Sequence, residues 1–472
     1  MTFPATINER YLWFLQKSGI ERKDYQEKGV EWCARLETHC DPMLPIRGGF
    51  IADEMGLGKT IMMISTFIVN FVPHTLIVLP NILLEQWQSE ISRTTGYKAV
   101  IFHGAAKKKL TLEHLNNATI VLTTYNTIAV TKKKMAAGNL SLLHQIQWDR
   151  VVYDEGHHLR NKNSRWIGCK LLKSNIRWLI SGTPVQNKRK DFFNLCSALH
   201  MPASYYANKE NLIHLVRNFV LMRTKKQVGI SLPNLNIDSE SVNWKSNEER
   251  KLSLDIHRAL AISDPATKLK LFMHARQSCI LPSLLKSSMS FMTSDKIIPT
   301  EHSTSGALLC SSKMDAVIDT ILSRKNNGNG KLIFCHFRGE IDTIISRLRE
   351  GGIEKICIFD GRVTQSVRSR LLKEEFEVII LQIQTGCEGL NLQKNFSEIY
   401  FVSPHWNPAI EDQAVARCHR IGQTKPVSVF RFYMDSFYID NATPATLTLD
   451  QYITAVQDGK REISSQILPP QT

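Results

Sequence analysis

The sequence predicts an α/β protein with two lobes, each a parallel sheet flanked by helices, joined by a largely helical connector. Short apolar runs alternate with helix-compatible stretches between residues 49 and 180, which is typical of a parallel sheet covered on both faces. A second series with the same alternation lies between residues 332 and 432. The intervening chain, from about residue 200, is polar and helix-compatible.

Each element is predicted from a run of apolar residues bounded by turn signals. In the first lobe, strands are expected at residues 49–52, 75–79, 99–102, 119–123, 150–153 and 178–180, with helices at 60–71 and 82–92. In the second lobe, strands are expected at 332–337, 356–359, 378–381, 399–402 and 427–432, with helices at 340–349 and 366–376. The expected domains are an N-terminal segment over 1–34, a first lobe over 35–203, a connector over 204–310, and a second lobe over 311–472 that ends in a polar tail.

Composition narrows the class of protein. A chain of 472 residues with 43% hydrophobic content is not mainly disordered or fibrous. The 59 Lys and Arg against 44 Asp and Glu give a net charge of +15, which favours a polyanionic partner, best a nucleic acid. The longest apolar stretch, residues 61–72, is too short for a membrane span, and the N-terminus lacks the order of a secretory signal. We therefore expect an intracellular protein without a membrane partner.

The cysteines argue against zinc. The ten cysteines lie singly, with no CxxC pair, so zinc-ribbon and RING-type sites are not expected. Scattered cysteines within apolar runs are typical of small buried side chains in a reducing compartment.

A glycine-rich segment at residues 48–60, GGFIADEMGLGKT, follows an apolar run and precedes a helix. Gly56 and Gly58 permit the backbone to wrap an anion, and Lys59 supplies a charge to the β and γ phosphates. Thr60 is suited to bind magnesium. The common GxxxxGK[ST] pattern has glycine at the position of Asp53, so this segment departs from it. The alternative is a glycine-rich turn before a core helix.

Two adjacent carboxylates follow a later strand. Asp154 is suited to hold Mg²⁺ through its water shell, and Glu155 to orient and deprotonate the water that attacks the γ phosphate. An acidic pair at a strand end also commonly caps a helix, which is the alternative.

Four motifs occur in the order and spacing of one family. They are DEMGLGKT (53–60), DEGH (154–157), SGTPVQN (181–187) and WNPAIEDQAVARCHRIGQ (406–423). From residue 24 to 433 the chain resembles the Swi/Snf-type helicase-like ATPases of helicase superfamily two. The resemblance implies two RecA-like lobes that clamp one ATP, with Mg²⁺, and track along double-stranded DNA. It also implies that residues 181–184 sense the nucleotide state.

The resemblance also implies roles for single residues. It places Gln26 near the adenine, and Arg417 and Arg420 as arginine fingers supported by Gln413 and Gln423. Arginine fingers neutralise charge that spreads over the γ-phosphoryl oxygens. The alternative for the two arginines is an exposed basic helix face. The residues implied around the phosphates are Asp53, Glu54, Met55, Gly56, Leu57, Gly58, Lys59 and Thr60.

By the same resemblance, residues from several loops contact DNA. Their hydroxyls, amides and backbone groups suit phosphate contacts, which position a motor without reading sequence. The lysine runs 107–109 and 132–134 either add charge to this groove or are solvated loops. The implied DNA contacts are Pro80, Thr124, Phe337, Arg338, Gly386, Asn391 and Trp406.

Three departures from the family pattern affect the expected coupling to DNA. Arg160 stands where Lys is common after DEGH, His336 stands where Ser is frequent, and residues 385–389 are bulkier and more acidic than usual. None of these departures removes a catalytic group, so an active ATPase is expected.

The predicted function is that of an ATP-dependent translocase on double-stranded DNA. It would displace or remodel DNA-bound proteins or transcription machinery and act in the nucleus, which would be the host nucleus for a viral protein. Without recognisable targeting domains, the chain resembles virus-encoded members of the family, such as the baculovirus global transactivators. Two alternatives remain: a strand-separating helicase, and a nucleotide-binding scaffold on DNA that needs no turnover.

Overall fold

The computed structural model describes residues 6–184, 188–303, 306–363, 367, 370, 371, 374–383, 390–437 and 446–467. The chain divides into two compact units, Met1–Ser231 with Glu462–Thr472, and Leu232–Arg461. Each unit contains one sheet, as the sequence predicts. Described helices and strands are numbered below in chain order.

The first unit contains seven strands and eleven described helices. The strands β1–β7 are Arg47–Ile51, Thr75–Leu79, Val100–Ile101, Ile120–Thr124, Gln147–Asp154, Lys173–Ile180 and Val220–Leu221. The helices α1–α11 are Ile7–Ser18, Asp24–Thr38, Lys59–Val69, Leu84–Thr95, Leu112–Asn116, Tyr125–Ile128, Lys132–Ala136, Ser164–Leu171, Arg189–Ala198, Ala203–Tyr206 and Lys209–Phe219.

The sheet of the first unit has the strand order β3-β4-β2-β5-β6-β1-β7. Every neighbouring pair is parallel. The strands β2 and β4 are buried along their whole length, because helices cover both faces of the sheet. Since all strands run the same way, the loops that follow β1, β2, β4, β5 and β6 emerge at one edge.

A buried ion pair joins α2 to the sheet inside this unit. Arg150 on β5 donates from Nε to Glu37 Oε1 (2.6 Å) and from Nη2 to Glu37 Oε2 (2.5 Å). Glu37 also accepts from Trp178 Nε1 (2.8 Å) and from Asn70 Nδ2 (2.7 Å). The carboxylate and guanidinium are thus paired and hydrogen-bonded, which is the condition for burying charge.

The second unit contains six strands, and seven described helices begin in it. The strands β8–β13 are Leu235–Val242, Gly330–Cys335, Ile356–Phe359, Val378–Gln382, Phe396–Phe401 and Val427–Met434. The helices α12–α18 are Asn247–Ile262, Pro265–Ile280, Met289–Ser294, Ser312–Ser323, Arg338–Glu350, Pro408–Val415 and Leu449–Ile467.

The second sheet has the strand order β10-β11-β9-β12-β13-β8, again with parallel pairs throughout. Alternate residues of β9 enter different cores. Ile333 and Cys335 belong to one apolar cluster, whereas Leu332 and Phe334 belong to another. The sheet is therefore buried on both faces, with the period of two that a strand imposes.

Several elements differ from the sequence-based expectation. The expected connector, 204–310, contains β7, which pairs in the first sheet, and β8, which is the edge of the second. The expected polar tail contains the helix α18. The strand expected at 332–337 ends at Cys335, because Glu340 Oε2 accepts the backbone N–H groups of His336 and Phe337 and starts a helix.

Two findings concern the expectations on cysteines and membranes. The described cysteines are free thiols, and most of them are buried, whereas Cys40 is exposed. None of the described helices combines the length and apolar character that crossing a bilayer requires.

Candidate nucleotide site

The glycine-rich loop joins β1 to α3, as the sequence predicts. Gly56 has φ +92° and Gly58 has φ +78°, a backbone region that glycine enters without steric cost. A Cβ on Gly58 would lie 2.3 Å from Nε2 of Gln26, so this position has no room for a side chain. The loop therefore makes a tight turn directly into the N-terminus of α3. There, backbone N–H groups and the helix dipole favour an anion.

Lys59, the first residue of α3, reaches back over the loop. Its Nζ donates to the backbone oxygens of Asp53 (2.7 Å) and Glu54 (3.3 Å). A Cβ on Gly182, in the predicted nucleotide-sensing segment, would lie 3.5 Å from the same Nζ. The chain after β6 thus approaches the loop closely.

Gln26 lies on α2 and is buried. Its Nε2 donates to the backbone oxygen of Leu57, at 3.1 Å. The residue that the family resemblance assigns to the adenine side is therefore bonded directly to the glycine-rich loop.

The acidic side chains of the loop have partners beyond the expected first lobe. The Asp53 carboxylate pairs with Arg223 (Nη2 to Oδ2 2.5 Å), and Glu54 pairs with Lys225 (Nζ to Oε1 2.8 Å). We expected Asp53 around the phosphates, but its carboxylate is engaged by the protein. Sequence reasoning missed Arg223, because the contact spans 170 positions and no local pattern signals it.

Asp154 ends β5 and is held by two aromatic side chains. Trp87 Nε1 donates to Asp154 Oδ2 (2.7 Å), and Tyr125 OH donates to the Asp154 backbone oxygen (2.7 Å). Burial, and then repulsion from Glu155, raises the pKa of Asp154 to about 7, while the nearby Lys59 ammonium opposes this rise. Lys59, after β1, and the acidic pair, at the end of β5, lie at the same edge of the first sheet.

Glu155 has a left-handed backbone, with φ +49° and ψ +47°. Such a conformation is uncommon for a residue with a side chain and occurs often at functional sites. Its Oε2 lies 3.3 Å from Nδ1 of His157, and that Nδ1 lies 3.5 Å from the hydroxyl of Ser181. A chain of polar contacts therefore joins the acidic pair to the segment 181–184.

The donor set fits ATP with Mg²⁺. Thr60 and Asp154 offer hydroxyl and carboxylate oxygens, which Mg²⁺ prefers, and nucleotide-bound Mg²⁺ usually takes only one or two protein ligands. A divalent cation would also offset the repulsion between Asp154 and Glu155 that raises the Asp154 pKa. Within the described residues, no group of three or more His, Cys, Asp or Glu is arranged to hold a metal ion.

The predicted arginine fingers lie in the second unit, directly after α17. Burial, and then the charge of Arg417, lowers the pKa of Arg420. Arg420 Nη1 donates to Asn391 Oδ1, and the Arg417 backbone oxygen accepts from Leu392 N (3.1 Å). Gln413 is buried on α17, and Gln423 Nε2 donates to the backbone oxygens of Phe396 and Cys418.

The predicted DNA contacts are spread over both units. In the first unit, Pro80 follows β2 and Thr124 is the last residue of β4. Both are buried, and the Thr124 hydroxyl caps α6 by accepting from Thr127 N. In the second, Arg338 is exposed at the start of α16, beside the half-buried Phe337, and Asn391 is also exposed. Gly386 lies outside the described residues.

The ring of Trp406 is held from the C-terminal helix α18. Lys460 Nζ donates to the Trp406 backbone oxygen (2.6 Å) and lies 4.6 Å from the ring centroid. Trp406 remains 38% exposed, so part of the ring is accessible to solvent.

The departure at His336 has a structural account. His336 accepts from Arg276 Nη2 (2.6 Å) and stacks on His405, with ring centroids 5.7 Å apart. Burial, followed by the Arg276 charge, holds the pKa of His336 well below its ordinary value. A neutral imidazole thus connects Arg276 of α13 to the carboxyl end of β9.

A glycine-rich loop before a helix and an acidic strand end on one parallel sheet are typical of nucleotide-hydrolysing α/β proteins. The family model described as SNF2-related domain matches residues 25–284, and the model described as helicase conserved C-terminal domain matches residues 312–422. The chain belongs to the SNF2-related family of helicase-like ATPases, as its motifs indicate.

Several known proteins are similar to the chain. "Probable global transactivator" of Orgyia pseudotsugata multicapsid polyhedrosis virus is 28% identical over 93% of this chain and 89% of its own length. "ATP-dependent DNA helicase DDM1" of Arabidopsis thaliana is 28% identical over 88% of this chain and 59% of its own length. Other relatives are longer still, and the chain spans 42% of one from Mycoplasma pneumoniae and 20% of one from Danio rerio.

A solved structure supports the fold. The Hef helicase domain of Pyrococcus furiosus has a TM-score of 0.56 and 16% identity, and the alignment covers 89% of this chain and 97% of that one. At this identity the likeness concerns the fold alone.

Proposed function

We propose that the chain is an ATP-driven translocase on double-stranded DNA that displaces or remodels DNA-bound proteins in the regulation of transcription. The observation that carries the proposal is the placement of Lys59, after β1, and of the Asp154–Glu155 pair, at the end of β5, at one edge of a parallel sheet in a chain of the SNF2-related family. The net charge of +15 favours a nucleic-acid track. The names of a viral transactivator and a plant DNA helicase among the relatives support action on DNA, in transcription and in the nucleus.

In the proposed reaction, loop N–H groups and Lys59 bind the phosphates, and Thr60 and Asp154 hold Mg²⁺. The bound ion supplies charge neutralisation to the β and γ phosphates. Glu155 orients a water and accepts its proton as the water oxygen attacks the γ phosphorus and the bond to ADP breaks. Arg417 and Arg420 are proposed to neutralise the charge that develops on the γ-phosphoryl oxygens.

Proposed DNA contacts are to the backbone, so binding is largely independent of sequence. They are carried by Pro80, Thr124, Phe337, Arg338, Gly386, Asn391 and Trp406. A translocase of this kind tracks along a duplex without separating its strands.

The first test is steady-state ATP hydrolysis without nucleic acid and with single-stranded DNA, duplex DNA or RNA. Stimulation by duplex DNA is expected, and it should be lost in Lys59→Ala but not in Lys17→Ala, which removes an exposed lysine of α1. Displacement of a third strand from a DNA triplex, without separation of the duplex, would then establish translocation. Stimulation mainly by single strands or RNA would favour a strand-separating helicase, and nucleotide binding without any turnover would favour a scaffold.

A further inference from the structure

The glycine-rich loop that precedes Lys59 is hydrogen-bonded to the segment that follows β7. Residues 221–225, termed the clamp segment, continue the parallel pairing of β1 with β7 past the end of both strands. Ala52 N donates to Leu221 O (2.7 Å), and Glu54 N donates to Arg223 O (2.9 Å). The backbone of the glycine-rich loop is therefore fixed to the clamp segment at alternate residues, as in a sheet.

The side chains of the loop also bond to the clamp segment. Arg223 N donates to Asp53 Oδ1 (3.0 Å), and Lys225 N donates to Glu54 Oε2 (2.7 Å). The Arg223 guanidinium then closes a two-pronged pair with the same Asp53 carboxylate, from Nε to Oδ1 (3.0 Å) and from Nη2 to Oδ2 (2.5 Å). Asp53 is only 1% exposed, so this pair is shielded from water and fixes both the distance and the orientation of the two planar groups.

The same guanidinium also holds the segment that carries Gln26. Its Nη1 donates to the backbone oxygen of Tyr25, and its carbon lies 5.6 Å from the centroid of the Tyr25 ring. A Cβ on Gly29, one turn further along α2, would lie 2.3 Å from Sδ of Met62 and 3.0 Å from Nη2 of Arg223. The glycine thus leaves space for the Met62 side chain and the guanidinium beside α2.

We propose that Arg223 is a positioning residue of the ATP site, acting through Asp53 on Lys59 and through Tyr25 on Gln26. The proposal rests on the proposed function. The path to Lys59 is direct, because Lys59 Nζ bonds the backbone oxygen of the same Asp53 whose carboxylate Arg223 holds. Asp53 accordingly acts through the loop and not by touching a phosphate.

The first variant for the test is Arg223→Lys in the full chain. It keeps the positive charge but removes the fork that bonds both carboxylate oxygens and Tyr25. Because the loop contacts ATP in the ground state as well as in the transition state, the KM for ATP should rise by about 10- to 100-fold with little change in kcat. The dissociation constant of a fluorescent ATP analogue should rise in parallel.

Arg150→Lys is the matched control. It alters another buried two-pronged arginine–carboxylate pair of the same unit, at Glu37, away from the loop. Arg150→Lys should lower the melting temperature without changing the KM for ATP at temperatures where the protein is folded. A purely structural role of Arg223 would give the same result for both variants.

Asp53→Asn is the second variant. It replaces one of the two carboxylate oxygens that the Arg223 fork bonds with an amide that cannot accept, so the KM should rise as in Arg223→Lys, and this measurement decides the matter if Arg223→Lys does not fold. The proposal is overturned if folded Arg223→Lys, or Asp53→Asn in its place, binds and hydrolyses ATP with wild-type KM. Wild-type protein that neither binds nor hydrolyses ATP would instead overturn the proposed function.

Discussion

At the residue scale, the acidic strand end of the first unit combines backbone strain with buried charge. Glu155 sits in the left-handed region, which costs a residue with a Cβ about 1–2 kcal/mol. Its neighbour Asp154 is buried, and its pKa is raised to about 7 by that burial and by Glu155. The left-handed backbone of Glu155 and the burial of two neighbouring carboxylates both lower the stability of the folded protein. A polyphosphate with its bound cation would offset the repulsion between the carboxylates.

Exchange of Glu155 for Gln tests its role as the base. Glu155→Gln keeps the size and the hydrogen-bonding oxygen but removes the basic carboxylate, so kcat should fall by at least about 100-fold. Nucleotide affinity should stay close to wild type, because the loop and Lys59 are unchanged. Single-turnover hydrolysis and equilibrium binding of an ATP analogue measure the two effects. Near-normal turnover in Glu155→Gln, beside an unaffected Glu85→Gln control on the exposed face of α4, would contradict the assignment.

A buried histidine predicts acid sensitivity in the second unit. His257 Nδ1 donates to Ser253 O (2.7 Å), and Nε2 accepts from Leu449 N (2.9 Å), so the neutral ring satisfies both neighbours. Burial lowers the pKa of His257 from the ordinary 6.5 to about 4, and Asp450 opposes this only in part. Since the unfolded chain takes up the proton first, stability should be fully present above pH 6.5 and fall by about 3 kcal/mol as the pH drops towards 4.

Hydrogen exchange of the peptides that cover α12, followed between pH 7 and 4.5 with correction for intrinsic rates, measures this loss. His257→Gln should flatten the pH dependence, because glutamine carries no titrating group. An equally steep dependence in His257→Gln would assign the acid sensitivity to other groups.

At the element scale, two helical glycines should respond oppositely to alanine. A Cβ on Gly168, in α8, would lie 1.8 Å from the backbone oxygen of Ile128, whereas a Cβ on Gly459, in α18, meets no atom within 4 Å. Gly168→Ala should destabilise the protein by about 1–3 kcal/mol through the forced backbone shift. Gly459→Ala should stabilise α18 by about 0.5–1 kcal/mol, because alanine loses less conformational freedom in a helix. Denaturant unfolding of both variants checks the two signs.

The elements that the sequence predicts best are the strands of each sheet interior. The strand expected at 75–79 is observed with the same bounds, since its five apolar and β-branched residues are all buried. In contrast, β8 was not predicted, because its sequence LNIDSESV is mostly polar and its side chains are exposed up to Val242. Its strand conformation depends on pairing with β13, a contact that composition does not signal.

The candidate site was predictable where its chemistry is local in sequence. The glycine-rich loop and Lys59 are predicted from a local sequence pattern, and α3 begins at Lys59, one residue before the expected start at 60. Trp87 and Arg223 were not predictable in this way, because they reach Asp154 and Asp53 from 67 and 170 positions away. Such supporting contacts depend on strand order, which becomes apparent only in the folded sheet.

At the scale of the whole molecule, net charge governs the interaction with DNA. The charge of +15 predicts that duplex affinity falls steeply with salt and hardly depends on sequence. The lysines at 132–134, in α7, are exposed. The lysines at 107–109, in a separate part of the first unit, are also exposed. Replacing Lys132, Lys133 and Lys134 with Gln should lower the slope of log K against log salt by up to about 3 if all three contact phosphates. Fluorescence anisotropy over a salt series measures the slope, and an unchanged slope would identify this run as a solvated surface.

The pairing of β8 with β13 also governs when the second unit matures during synthesis. Leu235 of β8 pairs with Val427 of β13, and the eight residues of β8 form the edge of the sheet with no other described strand beside them. A ribosome adds about 5–20 residues per second, so β8 emerges roughly 10–40 s before its partner is made. For that interval the backbone N–H and C=O groups of β8 that pair with β13 have no partner strand. We therefore expect ribosome-stalled chains that end before β13 to require a holding chaperone, whereas chains released after residue 434 should not.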